Sequence, residues 1–216
     1  MSKECESLHR LANKLVRYNF PFNESKIPLN GIYILFENGE EGHQTERIVR
    51  VGTHTGENQL RSRLKQHFIN ENKDRSIFRK NIGRSLLRHN NDPFIESWEL
   101  DLTTKIAREK NSSSIDFCYQ KSIESQVSKY IQSNFKFCVF EVNNKDERLE
   151  LESKLISTVS LCKDCNPSKK WLGNSSPKNK IVESGLWLVN ELYKTPFGAS
   201  GIERLSRLIG DQHHIR

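Results

Sequence analysis

No run in the 216-residue chain is apolar for long enough to cross a bilayer. The opening residues, Met1-Ser2-Lys3-Glu4-Cys5, lack a signal-peptide pattern. Cytoplasmic placement without membrane association is the expectation. Cysteine is scarce and odd in number, five in all, which argues against a disulfide framework. Cys162-Lys163-Asp164-Cys165 is a CxxC with no second copy. A zinc site needs two further ligands, and only the tail histidines His213 and His214, folded back, suggest themselves. Reduced structural cysteines are therefore expected. Internal repeats and a low-complexity tail are also absent.

What is present suits one domain with additions. Hydrophobic residues make up 35% and charged residues 28%, enough for a core under a heavily solvated surface. Mean hydropathy is -0.70. The net charge of +7 favours a nucleic-acid partner, although many unrelated proteins are as basic.

The chain is organised around the stretch from Gly31 to His67. Gly31-Ile32-Tyr33-Ile34-Leu35-Phe36 and Arg47-Ile48-Val49-Arg50-Val51-Gly52 are β-branched and aromatic. Asn38-Gly39 and several charges lie between them, which predicts a hairpin with a long loop. Leu60, Leu64 and Phe68 then recur every four residues, as on a buried helix face. Arg63 and His67 share one flank of that helix.

Before this core, residues 4–18 read as an amphipathic helix with Leu8, Leu11, Leu15 and Val16 on one face. After it, helices are expected over 76–88, 115–132, 181–193 and 201–209. Strands are expected over 94–102 and, apolar on both faces, 135–142. Asn144 followed by Glu147 is a capping-box pattern that starts a helix to about Leu161. Trp171 anchors a loop over 166–180.

Glu152 shares its helix face with Leu155, Ile156 and Val159. A carboxylate among core residues is costly unless paired or metal-bound, and the spacing leaves both readings open. Tyr33 has two readings as well: half-buried packing, or chemistry, for which a phenol titrating near pH ~10 needs cations nearby. If Ile48 faces the core, alternation points Arg50 the same way, where it lies either beside Tyr33 or in solvent at a strand edge.

These pieces resemble the GIY-YIG nuclease family. Gly31-Ile32-Tyr33 matches the first half of its name, and Arg50-Val51-Gly52 stands at the second half with Arg in place of Tyr. Leu60-x-x-Arg63-Leu64-x-x-His67 looks like the family's Arg-bearing helix, and Glu152-Ser153-Lys154-Leu155-Ile156 like its metal-binding helix. The resemblance covers about Pro28 to Asn174.

It implies an α+β fold: a small, mainly antiparallel sheet flanked by helices, with helical additions at both ends. Residues 1–27 would be an N-terminal helix and linker. Residues 28–175 would be the nuclease domain with a helical insertion at about 70–133, and 176–216 a C-terminal extension. The implied activity is hydrolysis of double-stranded DNA with Mg²⁺ or Mn²⁺ held by Glu152. Tyr33 would prepare the water, with Arg50 beside it. Arg63 would clamp phosphate. His67 would steady it or move a proton, or else be a packing residue, and His54 is a weaker candidate. Asn174 falls about where the family has an Asn.

Basic residues at Lys65, Arg79, Lys80, Arg84, Arg88, Lys169, Lys170, Lys178 and Lys180 would track the backbone. A restriction-type enzyme, which allows a homodimer on DNA, is the expected role. The rivals are a structure-specific repair nuclease and a decayed nucleic-acid-binding protein on the same frame.

Overall fold

The computed structural model describes residues 2–213. In chain order the elements are α1 (Ser2–Lys14), β1 (Tyr18–Asn19), β2 (Gly31–Gly42), β3 (Thr45–Gly52), α2 (Leu60–Phe68), α3 (Ile77–His89), α4 (Ile95–Glu99), α5 (Lys105–Asn111), α6 (Phe117–Asn134), β4 (Phe135–Glu141), α7 (Lys145–Ser160), α8 (Asn179–Ser184) and α9 (Ala199–His213). His214, one of the two tail histidines considered for zinc, lies outside the described residues, as does the side chain of His213.

The strands form one antiparallel sheet in the order β1-β4-β2-β3, so the fold is α+β and β3 is an edge strand. Both faces are covered. Ile32, Ile34, Phe36, Ile48 and Val51 pack under α1, α7 and α9 through Leu8, Leu155, Ile156, Leu205 and Ile209. Tyr33, Leu35, Val49 and Phe137 pack under α2, α3 and α6 through Leu64, Phe68, Phe78, Ile82, Val127 and Ile131. The sheet alternation and the helical spacing thus meet in two apolar layers.

One irregularity sets the site. Pairing runs Tyr33–Gly52, Ile34–Val51 and Leu35–Arg50, then jumps to Phe36–Ile48. Val49 is an extra residue, and this β-bulge breaks the alternation. Arg50 therefore faces the side of Tyr33 and Leu35, not that of Ile48 as strict alternation predicts.

Caps define the helix starts. Asn144 Oδ1 accepts the Glu147 amide at 2.9 Å, as its pattern predicts. Ser76 Oγ accepts that of Arg79 at 3.2 Å. Elsewhere the structure differs from the sequence reading. The N-terminal helix stops at Lys14, and Val16 is exposed. Residues 94–102 hold the one-turn helix α4 instead of a strand. Asp92 Oδ1 accepts the Phe94 amide, and Trp98 inserts against Gly83 while donating from Nε1 to the Lys80 carbonyl at 3.0 Å. After α4, α5 runs into a 3-10 turn over Ser112–Ser114. The helix expected over 181–193 ends at Ser184, where Gly185 turns left-handed at φ 66°.

The stretch after Gly185 is stitched to the hairpin. The Trp187 amide donates to the Val49 carbonyl at 2.8 Å. Glu37 is buried and accepts Trp171 Nε1, Trp187 Nε1 and the Tyr130 hydroxyl at 2.7, 2.8 and 2.5 Å. Burial raises the Glu37 pKa, and these donors oppose the rise. Among the described residues no helix is long and apolar enough to cross a membrane.

Candidate active site at the free edge of the sheet

The end of β3, helices α2, α3 and α7, and residues 188–191 enclose two adjoining cavities of about 390 and 450 Å³. Arg63, Leu149 and Glu152 line both. The first is completed by Thr53, His54, Gln59 and neighbours, the second by Arg50, Asn81, Asn190 and Glu191. Together they form one cleft with two carboxylates and two guanidinium groups on its walls.

Glu152 reaches this edge because the register of α7 buries Leu151, Leu155 and Ile156 against the sheet. Its Oε1 accepts the Thr53 amide at 3.0 Å, while Oε2 has no hydrogen-bond partner among the described residues. Burial pushes its pKa up; Arg50, the Thr53 amide and Arg63 pull it back, and Glu191 adds to the rise. A partly desolvated carboxylate with one free oxygen on a cavity is a fitting donor for a hard divalent cation.

Arg50 is buried, its Nη1 donating to the Trp187 carbonyl and its guanidinium lying 5.2 Å from the Phe78 ring centroid. Its Nε has no partner among the described residues, and neither does Asn81 Nδ2. A buried donor left unpaired costs about 1–3 kcal/mol. Both residues line the cavity that Arg63 also lines, and the two guanidinium groups make it a place for an anion. Arg63 itself is half-buried, with Nη1 donating to Gln66 Oε1 at 3.0 Å and the Arg75 carbonyl at 3.2 Å.

Tyr33 and His67 meet behind the cleft. The phenolic oxygen lies 2.8 Å from His67 Nε2, and His67 Nδ1 lies 2.8 Å from Ser76 Oγ. His67 is fully buried, and burial together with Arg63, Arg50 and Arg79 holds its pKa well below the ordinary value, so the ring is neutral. It lines neither cavity. Gly52 makes room for this pair, since a Cβ there would sit 2.2 Å from the Tyr33 hydroxyl. Gly31 is required for another close approach: its Cβ would lie 2.2 Å from the Phe140 carbonyl oxygen.

The sequence profile of the GIY-YIG domain matches residues 5–215. The chain belongs to the GIY-YIG domain family. This is a family of nucleases, and the two glycines just described are the ones that its name marks. Neither the curated proteins nor the solved structures hold a significant match to the chain.

Within this GIY-YIG domain the cleft gathers Arg50, Arg63, His54 and Glu152, with Tyr33 and His67 adjoining. His54 braces its loop: Nδ1 lies 2.7 Å from the Gly56 carbonyl, and Nε2 accepts the Gly31 amide at 3.3 Å. Asn174 is not brought there. It is exposed in a 3-10 turn at Leu172–Ser175 and donates to the Ser168 and Lys169 carbonyls, because buried Trp171 ties that loop to Glu37.

Sequence reasoning missed Asn81, Asn190 and Glu191. Asn81 had a signal: a poor helix former between core residues Phe78 and Ile82. The basic flank expected on α3 is internal wiring. Arg79 is buried on Glu124 at 2.8 Å and Arg84 is held by Glu99 at 2.5 Å. Lys80 reaches Asp74 at 3.4 Å. Arg88, Lys169, Lys170 and Lys180 are the exposed cations of that set.

Proposed function

We propose that the protein is a Mg²⁺-dependent endonuclease that hydrolyses phosphodiester bonds in double-stranded DNA. The observation that carries this reading is the pair of buried, unpaired donors, Arg50 Nε and Asn81 Nδ2, on a cavity shared with Arg63 and Glu152. Both residues line that cavity with cationic or amide donors, and Arg63 adds planar, charged donors for the negative charge that builds in the transition state.

Glu152 would hold the cation through Oε2, and Mn²⁺ would serve the same donor. The ion, when bound, supplies Lewis-acid stabilisation of the phosphoryl oxygens. The proton path is the chain's own. With Nδ1–H resting on Ser76 Oγ, neutral His67 presents Nε2 as the acceptor for the Tyr33 hydroxyl proton. The phenolic oxygen then carries the negative character that drawing a proton from water requires. The water oxygen bonds to phosphorus and one P–O ester bond breaks; the proton that water loses moves through Tyr33 to His67 and returns by the same route, so that the leaving oxygen ends protonated. Arg50, standing where the family has a Tyr, acts on charge and not on the proton.

Within this reading the restriction-type role is retained, with target contacts assigned to the helical insertion at 70–133 and the terminal helices. Glu152→Gln keeps size and packing and removes the charge. Wild-type protein with Mg²⁺ should cut DNA to discrete fragments, whereas Glu152→Gln should lose about 10²-fold or more while binding DNA normally. Cutting confined to branches or flaps would mark a repair nuclease. Binding without cutting by the wild type would mark a decayed enzyme. A cleavage rate second order in protein would mark a homodimer on DNA.

A further inference from the structure

The end of β3 remote from the cleft holds a second cluster of chemistry-bearing residues. Cys5 and His9 come from the first turns of α1, His43 from the tip of the β2–β3 hairpin, and Cys165 from the stretch after α7. One ligand atom from each lies within 4.8 Å of all the others. Cys162, the first cysteine of the CxxC, joins them: its Sγ is 3.4 Å from His43 Nε2 and interacts with the Cys5 thiol. In a tetrahedron with metal–sulfur bonds of ~2.3 Å and metal–nitrogen bonds of ~2.0 Å, donor atoms stand roughly 3.3–3.8 Å apart. Cys162 Sγ to His43 Nε2, at 3.4 Å, falls in this range.

Two features of the backbone point to a ligand. His43 and Gln44 both have positive φ, 53° and 59°, at a two-residue hairpin turn where Asn and Gly are preferred. Such strain in non-glycine residues persists where the surroundings impose it. Beside them, Gly42 leaves clearance for sulfur, since a Cβ there would sit 2.9 Å from Cys165 Sγ.

His9 has its ring nitrogens committed to the backbone. Nδ1 lies 2.9 Å from the Cys5 carbonyl oxygen, and Nε2 accepts the Ile48 amide at 3.1 Å. We propose that Cys5, His43, Cys162 and Cys165 bind a structural Zn²⁺ ion, with His9 as the positioning residue that fixes α1 against β3. Three thiolates and one imidazole suit zinc, and the site is closed, as structural zinc sites are. Binding releases the thiol protons and leaves all oxidation states unchanged. The ion would pin three separate stretches, the start of α1, the hairpin tip and the exit of α7. It would not take part in cleavage, and its presence does not depend on the proposed nuclease activity.

The test is elemental analysis of the reduced protein purified without chelator, followed by Co²⁺ uptake after the metal is stripped. About one zinc per chain and a tetrahedral Co²⁺ spectrum with thiolate charge-transfer bands are expected. Cys165→Ser and Cys162→Ser should lose zinc, whereas His9→Gln and Glu152→Gln should keep it. Should the cysteine variants fail to fold, zinc release from wild-type protein by a thiol-blocking reagent, about one ion per chain, serves as the second measurement. A metal-free wild type whose stripped form gives no thiolate–Co²⁺ bands would overturn the proposal. Retention of zinc by Cys162→Ser together with loss in His9→Gln would overturn the ligand set.

Discussion

Arg47 and Arg50 leave the same strand three residues apart, and both are buried. Arg47 is fully engaged: Nε and Nη2 meet one Glu40 oxygen at 3.0 and 2.5 Å, and Nη1 meets the Gly185 carbonyl at 2.5 Å. Arg50 has one backbone carbonyl, an unpaired Nε and no carboxylate within ion-pair distance among the described residues. A saturated guanidinium holds a fold together; one with donors left over on a cavity wall has room for an incoming anion. Burial alone does not separate the two. Hydrogen-bond saturation does.

That contrast is sharpest in a pair of variants. Arg47→Met strands the Glu40 carboxylate in the interior and should cost about 3–5 kcal/mol in urea unfolding. Arg50→Met removes a poorly satisfied charge and should change stability by less than about 1 kcal/mol, while cleavage falls about 10²-fold. Equal losses of stability in the two variants would make Arg50 another structural arginine.

Next in size are Tyr33→Phe and Arg63→Ala. The first removes one hydroxyl from a packed ring and should lower single-turnover cleavage by about 10²–10⁴-fold with the fold intact. The second should lower the rate at every pH, because it removes charge stabilisation and leaves the base in place. Near-normal cutting by Tyr33→Phe would reduce Tyr33 to packing. Asn81→Ala should have a smaller effect, roughly tenfold on cleavage; it removes an unpaired donor but also the oxygen that accepts Arg84 Nη1 at 2.6 Å, so stability should fall by about 1–3 kcal/mol.

The smallest effect is on stability against pH. His67 is neutral in the fold because burial depresses its pKa, whereas the unfolded chain takes up a proton near pH ~6.5. Its contribution is present above that value and lost as pH falls below it, by at most ~1.4 kcal/mol per pH unit. His67→Gln should flatten the decline; His54, also depressed by burial, supplies a remainder. An unchanged profile would remove His67 as its source.

Much of the fold was legible in the sequence because it is local. The hairpin, the face of Leu60, Leu64 and Phe68, and the Asn144 cap follow from periodicity and from one side chain reaching three residues along. What was not legible depends on distant partners. The segment around Trp98 looked like a strand because its residues suit one, yet it has a glycine on α3 to fill and no strand to pair with. Arg79 and Arg84 looked solvated because Glu124 and Glu99 lie 45 and 15 residues away. The cysteine pair lacked partners for the same reason: Cys5 and His43 are more than a hundred residues upstream. At the cleft, the residues of the resembling motifs converge except Asn174, whose placement hangs on a loop with no periodicity to read.

The bulge at Val49 puts two consecutive side chains, Val49 and Arg50, on the same side of β3. Deleting Val49 would leave Ile48 opposite Phe36 and Arg50 opposite Leu35, so the pleat becomes regular and the other residues keep their faces. What goes is the Val49 side chain in the apolar layer under α2 and α3, and the carbonyl that takes the Trp187 amide at 2.8 Å. The extra residue therefore serves the segment after Gly185, which loses its anchor on the hairpin, while the facing of Arg50 towards the cleft survives.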